Sequence, residues 1–295
     1  MPRGVPKAGY RRTKNQKNGP MPGLSVPRLS PSFSLVTRET DDEIDAKLKT
    51  RFDIIDIMAK SACHGATRAL IISGPAGLGK SFTVEKAVEA YDPAGKRSCL
   101  VKGFMRPTGL YKTLYNYRNP GDVLVFDDCD SIFFDVDALN LLKSACDTTD
   151  KRKICWGSET RMTDDEGSPL PWSFEFQGSI IFITNFDFDL AIETGGKSKE
   201  HFEAMISRAH YIDTGMKSMR DYLIRIRQVV DMGMLTDRGF DKYEQSEVMD
   251  YLFENAVNLR ELTLRMVIKL ASVYRSNPVR WREIAKVTLW KIKNS

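Results

Sequence analysis

One eight-residue segment combines glycines, a lysine and a serine at a spacing that suits phosphate binding. It matches the pattern G-x-x-x-x-G-K-[ST] and consists of Gly74, Pro75, Ala76, Gly77, Leu78, Gly79, Lys80 and Ser81. The glycines allow backbone amides to curl around phosphate oxygens, and a helix that follows directs its positive N-terminus at them. We therefore expect Lys80 to contact the β- and γ-phosphates of a nucleotide and Ser81 to ligate magnesium. Phe82, the next residue, is expected to adjoin the nucleotide.

Two adjacent acids form the second chemical element. Asp127 and Asp128 end an apolar run, 47 residues after Lys80 (127 − 80 = 47). Carboxylates at such a position hold the Mg²⁺ of a triphosphate and orient the attacking water. We assign the magnesium to Asp127 and the water to Asp128. Asp130 lies on the same loop and is expected to cap the next turn, with an exchange of roles as the alternative.

The segments that must position these residues alternate between strand-like and helix-like patterns. The apolar strand-like runs are 69–73, 98–101, 122–126 and 179–184. The helical patterns among them are 44–64, which follows a capping box at Thr40 and Glu43, then 80–91, 110–117 and 137–146. After about residue 216 only helical patterns follow, at 218–231, 241–256, 259–274 and 279–291. Strands that alternate with helices predict a parallel sheet covered on both faces.

This order of elements resembles the AAA+ ATPase family over roughly residues 41–290. By that resemblance Asn185 is the sensor-1 residue that positions water, on a strand between the two phosphate-site strands. Arg208 resembles the arginine finger, which reaches the γ-phosphate bound by a neighbouring subunit; an ordinary surface arginine at a helix end is the alternative. Arg260 resembles the sensor-2 arginine at the start of a lid helix, and Arg265 on the same helix is the alternative.

One position departs from the family pattern. Most members have Asp-Glu at the end of the acidic strand, where this chain has Asp127-Asp128. Aspartate is one methylene shorter than glutamate, so we expect slower or altered hydrolysis. A protein that binds ATP without hydrolysing it is the alternative.

The resemblance implies an α/β fold, in which an AAA+ P-loop domain with a central parallel sheet carries a small all-α C-terminal lid. The predicted boundaries are a disordered basic tail at 1–38, the nucleotide-binding domain at 39–215 and the helical lid at 216–295. ATP and Mg²⁺ are the implied cofactors, bound between domain and lid. An arginine finger has no target in a monomer, so we expect a homo-oligomer, and the resemblance favours a hexameric ring. The compact build is also similar to the small AAA+ ATPases of tailed bacteriophages.

Two segments bear on the substrate. Residues 150–178 contain two β-like runs around a loop that includes Arg161. They resemble the pre-sensor-1 hairpin that lines the central pore of several AAA+ translocases, with a surface hairpin as the alternative. Phe104 and Met105 lie beside basic residues after the strand 98–101, where AAA+ pore loops hold a peptide or stack on bases. Packing of both side chains beneath the next helix is the alternative.

Charge is unevenly distributed along the chain. Residues 1–38 contain eight Lys/Arg and no acid, and residues 258–295 contain nine Lys/Arg and two acids. Subtraction from the totals leaves 27 basic and 37 acidic residues in 39–257 (44 − 17 and 39 − 2). A polyanion is therefore expected to meet an end of the chain or a local loop. The basic tail has three open interpretations: an arm on DNA or RNA, a ligand for an acidic partner, or a solvated leader.

The remaining composition is that of a protein with reduced thiols and no membrane segment. The five cysteines have neither CxxC nor Cys/His metal spacing. No apolar run approaches the roughly 18 to 20 residues needed to span a bilayer. We expect no membrane partner and a cytoplasmic location, which for a viral protein is the host cytoplasm.

The predicted function is ATP hydrolysis in an oligomeric ring, coupled to the remodelling or translocation of nucleic acid by a helicase, loader or recombination motor. A protein-remodelling ATPase that unfolds or threads a polypeptide is the alternative. A switch that assembles on ATP without acting as a motor is a third possibility.

Overall fold

The computed structural model describes residues 39–157, 162–164, 166–196 and 198–292. The predicted tail and Arg161 of the predicted pore hairpin lie outside these residues. Within them, every helix is too short or too polar to cross a membrane.

The strands of the described residues form one main sheet and one small hairpin. They are β1 (Ala69–Ser73), β2 (Ser98–Lys102), β3 (Val123–Asp127), β4 (Lys153–Cys155), β5 (Ser173–Glu175), β6 (Ser179–Thr184) and β7 (His210–Asp213). The main sheet is parallel and has the order β2-β3-β6-β1-β7, while β4 and β5 pair antiparallel. The predicted parallel α/β fold is therefore confirmed, and β6 lies between β1 and β3.

The helices follow the strands on both faces of the sheet and then continue alone. They are α1 (Asp41–Cys63), α2 (Lys80–Tyr91), α3 (Pro107–Asn116), α4 (Val136–Ala145), α5 (Phe188–Thr194), α6 (Lys199–Arg208), α7 (Met219–Asp231), α8 (Lys242–Glu254), α9 (Leu264–Ser276) and α10 (Trp281–Leu289). The first helix begins at the predicted capping box. The Thr40 hydroxyl accepts from the amide of Glu43, and the Glu43 carboxylate accepts from the amide of Thr40 at 2.7 Å.

The two faces of the central strands belong to two hydrophobic cores. All residues of β1, β3 and β6 are buried, as expected for strands covered on both faces. Ile72 and Ile183 point to the core shared by α1, α2 and the C-terminal helices. Ile71 and Phe182 point to the opposite core, which contains α3, α4, α6 and the hairpin. The helices after β7 therefore pack on the same side of the sheet as the helix that follows the phosphate-binding segment.

Four elements differ clearly from the sequence-based expectations. The patterns predict neither β7, which is a partly buried edge strand with polar ends, nor the helices α5 and α6, which bury few residues: Phe188 in α5, and Phe202 and Met205 in α6. The helix predicted at 259–274 begins at Leu264. Thr263 caps it by accepting from the amide of Met266, while Leu259 forms an isolated bridge with Trp290.

Candidate nucleotide site

Three neighbouring strands bring the predicted site residues to one edge of the sheet. β1 runs into the phosphate loop, β3 ends at Asp127, and β6 ends immediately before Asn185. The register aligns Ser73 with Thr184 and Asp127 with Ile183, so the three strand ends lie level. Ligands of open α/β sheets bind at this carboxyl edge.

The phosphate loop is shaped by contacts on two sides. A Cβ atom on Gly74 would lie 1.9 Å from the hydroxyl oxygen of Thr214, and one on Gly77 would lie 2.9 Å from the Cβ of Thr263. Both glycines also have positive φ angles, 150° and 72°. The Gly77 carbonyl accepts a 2.8 Å hydrogen bond from the amide of Leu264, the first residue of α9. The residue after β7 and the start of α9 thus leave room only for glycine in the loop.

Lys80 places a buried positive charge beneath the loop. The residue is 4% exposed, and its Nζ donates to the carbonyls of Gly74 at 2.7 Å and Pro75 at 2.8 Å and to Asn185 Oδ1 at 3.1 Å. Burial lowers the pKa of Lys80 to about 8, although nearby carboxylates oppose this effect. A buried ammonium held by neutral oxygens is suited to exchange them for phosphate oxygens.

Ser81 and Asp127 form the pair predicted to hold magnesium. The Ser81 hydroxyl donates to Asp127 Oδ1 at 2.9 Å. Magnesium in nucleotide sites is typically held by one or two protein oxygens together with phosphate oxygens and water. In the described ranges no three His, Cys, Asp or Glu side chains form a metal cage. The hydroxyl and carboxylate at the phosphate loop therefore fit a magnesium ion that arrives with a nucleotide.

Of the two remaining acids, Asp128 is the one at the cleft. It accepts from Asn185 Nδ2 at 2.8 Å and has a positive φ of 54°, which is unfavourable for a residue with a Cβ. Asp130 accepts from the Thr184 hydroxyl at the start of a 3₁₀ turn, and burial raises the pKa of Asp130. Asn185 therefore links Lys80 to Asp128. Asp130 does not cap the turn as expected, because the turn has no side-chain cap and the Asp130 carboxylate accepts from Thr184 of β6 instead.

Lys80, Ser81, Asp128 and Asn185 line one cleft of about 160 Å³. Its walls come from the phosphate loop, the ends of β3 and β6, and the first turns of α9: Ala76, Gly77, Gly79, Lys80, Ser81, Phe82, Asp128, Ile183, Asn185, Leu264, Arg265 and Ile268. A larger cavity of about 430 Å³ lies between α7 and α8 and contains none of the predicted site residues. The smaller cleft is therefore the candidate nucleotide site.

The structure corrects the predicted sensor-2 position. Arg260 lies outside the cleft, because its Nε donates to the Trp290 carbonyl at 2.9 Å. Arg265 is the second residue of α9 and lines the cleft. The predicted helix starts five residues too early (264 − 259 = 5), which leaves Arg260 in the preceding loop. The alternative that the sequence left open, Arg265, lines the candidate cleft.

Arg225 of α7 contacts a backbone carbonyl of the phosphate loop, and no sequence pattern predicts this contact. Its Nε donates to the Leu78 carbonyl at 3.3 Å, and Nη1 donates to Gln228 Oε1 at 3.0 Å. Its guanidinium carbon lies 3.3 Å from the centre of the Phe52 ring, and burial lowers the pKa of Arg225 to about 10. A basic residue on an amphipathic helix is usually solvent-facing, so only the fold reveals this contact.

Arg208 lies at the end of α6, away from the cleft of its own chain. Its Nη1 donates to the Ala204 carbonyl at 2.9 Å, and its Nε is 3.9 Å from Asp147 Oδ1. The buried Nε has no hydrogen-bond partner among the described residues. Within one chain, Arg208 therefore contacts no residue of the phosphate site.

The two residues of the predicted pore loop have different environments. Phe104 is 76% exposed, whereas Met105 packs against the core of α3 and α4. The prediction that both side chains meet substrate is thus corrected for Met105. The predicted hairpin is present as β4 and β5, and its connecting segment contacts α3 through the Tyr111 hydroxyl, which donates to the Pro171 carbonyl at 2.8 Å.

The topology and the site together define a class of protein. A phosphate loop follows β1, an acidic strand end lies two strands away, and a polar strand end lies between them, with a helical C-terminal region over the loop. This is the AAA+ P-loop fold.

Comparison with known proteins gives one relative of substantial similarity. The chain is 33% identical over 250 residues to an uncharacterized 36.7 kDa protein from the nrdC–mobD intergenic region of Enterobacteria phage T4. The match covers 84% of this chain and 76% of the phage protein. The chain therefore belongs to the same protein family as this phage protein. No family model matches the chain.

Solved structures are more distant. The RuvB Holliday junction branch migration motor of Thermotoga maritima is 13% identical, with a TM-score of 0.43, and the match covers 84% of this chain and 69% of RuvB. NtrX from Brucella abortus in complex with ATP is 13% identical, with a TM-score of 0.46, and the match covers 84% of this chain and 54% of NtrX.

The cleft predicts different effects for two arginines near the start of α9. Arg265→Ala should weaken ATP binding about tenfold or more, because a charged hydrogen bond to phosphate contributes about 1.5–3 kcal/mol. Arg260→Ala should change the affinity by less than about threefold, since it removes the contact with Trp290 and leaves the cleft intact. Titration with a fluorescent ATP analogue measures both. A larger loss for Arg260→Ala than for Arg265→Ala would contradict the correction.

Proposed function

We propose that this chain is an ATP-hydrolysing AAA+ motor that acts on nucleic acid. The observation that carries the proposal is the hydrogen-bonded series Lys80–Asn185–Asp128 in the cleft, together with the hydrogen bond from Ser81 of the same cleft to Asp127. The proposed domain division places the nucleotide-binding domain at 39–215 and the lid at 216–295. Because the relative is encoded by a phage, the proposed place of action is the host cytoplasm.

Nucleotide binding is the first proposed task of the cleft. Backbone amides of the phosphate loop and the N-terminus of α2 receive the phosphates, and Lys80 moves its hydrogen bonds from the loop carbonyls to phosphate oxygens. Phe82, which is 68% exposed at the cleft, offers an apolar face to the nucleotide. Arg265 adds a second positive charge from the lid side.

Hydrolysis is the second proposed task. Magnesium, when bound, neutralises charge on the phosphates and fixes their geometry. Ser81 and Asp127 would supply the protein ligands of this ion, while Asp128 accepts a hydrogen bond from the attacking water. Asn185 restrains Asp128 through the 2.8 Å contact and so sets the direction of that hydrogen bond. The shorter aspartate reaches less far than the glutamate of most family members, so we propose slow intrinsic turnover.

Nucleic acid is the proposed substrate because of exposed aromatic and basic residues after β2 and in the hairpin segment. The exposed Phe104 follows β2 and is two residues from Arg106, which is also exposed. An exposed aromatic ring and a guanidinium two residues apart suit base stacking combined with phosphate attraction. Trp172 of the hairpin segment is 49% exposed and adds a second aromatic surface. The basic tail supplies positive charge that the acidic body of the chain lacks.

The choice of substrate is tested by stimulation of ATP hydrolysis. Single-stranded DNA should raise the rate several-fold, and an unfolded polypeptide should not. Phe104→Ala should raise the half-saturating DNA concentration about fivefold or more, since stacking contributes about 1–3 kcal/mol per base. Tyr243→Ala removes another exposed aromatic ring, on α8, and should leave the stimulation unchanged. Stimulation by polypeptide alone would instead support the protein-remodelling alternative.

We propose a ring as the active form, in which Arg208 acts on the nucleotide site of the adjacent subunit. The side chain lies outside the cleft of its own chain and is a third exposed, so it is available to a neighbouring subunit once it leaves Asp147. In the proposed oligomer, which we take to be a hexamer, Arg208 stabilises the charge that develops on the γ-phosphate of the adjacent site.

Mixed rings test this role in trans. Arg208→Ala should bind ATP almost normally and lose most hydrolysis, because trans arginines increase the rate about 10³-fold or more. Lys80→Ala should abolish ATP binding while it keeps Arg208. Mixing the two variants should restore part of the activity, since some interfaces then combine an intact loop with an intact arginine. Co-assembly shown by light scattering without any recovery of activity would contradict a role of Arg208 in trans.

A further inference from the structure

Lys102 contacts the carboxylate that is proposed to hold magnesium. It is the last residue of β2 and is paired in register with Asp127 on β3. Its Nζ is 3.3 Å from Asp127 Oδ2, while Asp127 Oδ1 accepts from Ser81. Both oxygens of this carboxylate therefore already have partners within the chain.

Lys102 is far more exposed than Asp127, and this difference favours replacement of Lys102 by a magnesium ion at the carboxylate. The side chain of Asp127 is 7% exposed, whereas that of Lys102 is 55% exposed. A buried carboxylate is costly without a compensating charge, and Lys102 supplies that charge in the nucleotide-free chain. A magnesium ion beside the same carboxylate repels the ammonium, and the exposed lysine side chain is free to rotate away.

Glu85 provides Lys102 with a second partner. It lies on α2, four residues after Ser81, so both side chains are on one face of that helix. Its Oε1 is 2.6 Å from Lys102 Nζ. Lys102 can therefore leave Asp127 and retain an ion pair with Glu85.

We propose that Lys102 is a resident counter-charge of Asp127 that moves fully to Glu85 when magnesium and nucleotide bind. It is a positioning residue, because it acts on the metal through Asp127, and it sets how much magnesium the site requires. The inference rests on the proposed function, since it presumes a nucleotide in the cleft.

The test measures nucleotide binding, which does not depend on turnover. A fluorescent ADP analogue is titrated into the full chain in EDTA and then at increasing Mg²⁺ concentrations. Lys102→Met should lower the half-saturating Mg²⁺ concentration about three- to tenfold, because the competing charge is gone. It should also weaken binding in EDTA, because Asp127 then repels the phosphates without compensation. Lys102→Arg should remain close to wild type.

Two further variants separate direct exchange from a general effect of charge. Glu85→Gln should raise the half-saturating Mg²⁺ concentration, because Lys102 then has only Asp127 as a partner. In the Lys102→Met background, the same change should have less than about a twofold effect, since Glu85 acts through Lys102. Lys86→Met is the matched control, because it removes an exposed lysine next to Glu85 in the sequence and should not change the requirement.

The outcomes distinguish this inference from the proposed function. If the wild type binds nucleotide normally but the Lys102 and Glu85 changes act independently or have no effect, the proposed movement of Lys102 is overturned. The proposed function is not affected by that result. A wild-type chain that binds no nucleotide under any condition would overturn the proposed function and the exchange with it.

Discussion

The cleft depends on one buried ammonium group. Lys80 is satisfied by two loop carbonyls and by Asn185, and an ammonium buried this deeply requires such partners. Because Asn185 also donates to Asp128, the interaction that accommodates the charge also orients the acid proposed to act on water. This arrangement requires β6 to lie between β1 and β3, so the strand order is part of the site's chemistry.

Contacts from outside the sheet connect the phosphate loop to the rest of the chain. The amide of Leu264 and the guanidinium of Arg225 both donate to loop carbonyls from the C-terminal helices. Lys102 connects Asp127 to Glu85 and lies two residues before the exposed Phe104. A nucleotide that changes these contacts would therefore affect how the C-terminal helices hold the loop, and by linkage a change in those helices would affect nucleotide affinity.

Sequence patterns predict the elements whose residue types are fixed by steric limits or by burial. The phosphate loop has glycines that no other residue can replace sterically, and the buried strands have continuous apolar runs, so the loop, β1, β3, β6 and the parallel sheet were all predictable. The start of α9 was not predictable, because the cap residue Thr263 is not followed three residues later by an acid that would indicate a capping box. As a result the sequence assigned Arg260 to the cleft, which Arg265 lines. Arg225 and Lys102 act through tertiary contacts, which a sequence pattern does not contain.

The role that we propose for Asp128, held by Asn185, is to act on the attacking water. Its most direct test is single-turnover hydrolysis of prebound ATP by two isosteric variants. Asp128→Asn should bind ATP with near wild-type affinity and slow hydrolysis about 100-fold or more, as loss of a general base does elsewhere. Asp130→Asn should stay within about tenfold of wild type, because an amide oxygen can still accept from Thr184. Wild-type hydrolysis by Asp128→Asn, with a loss of activity in Asp130→Asn, would contradict the account.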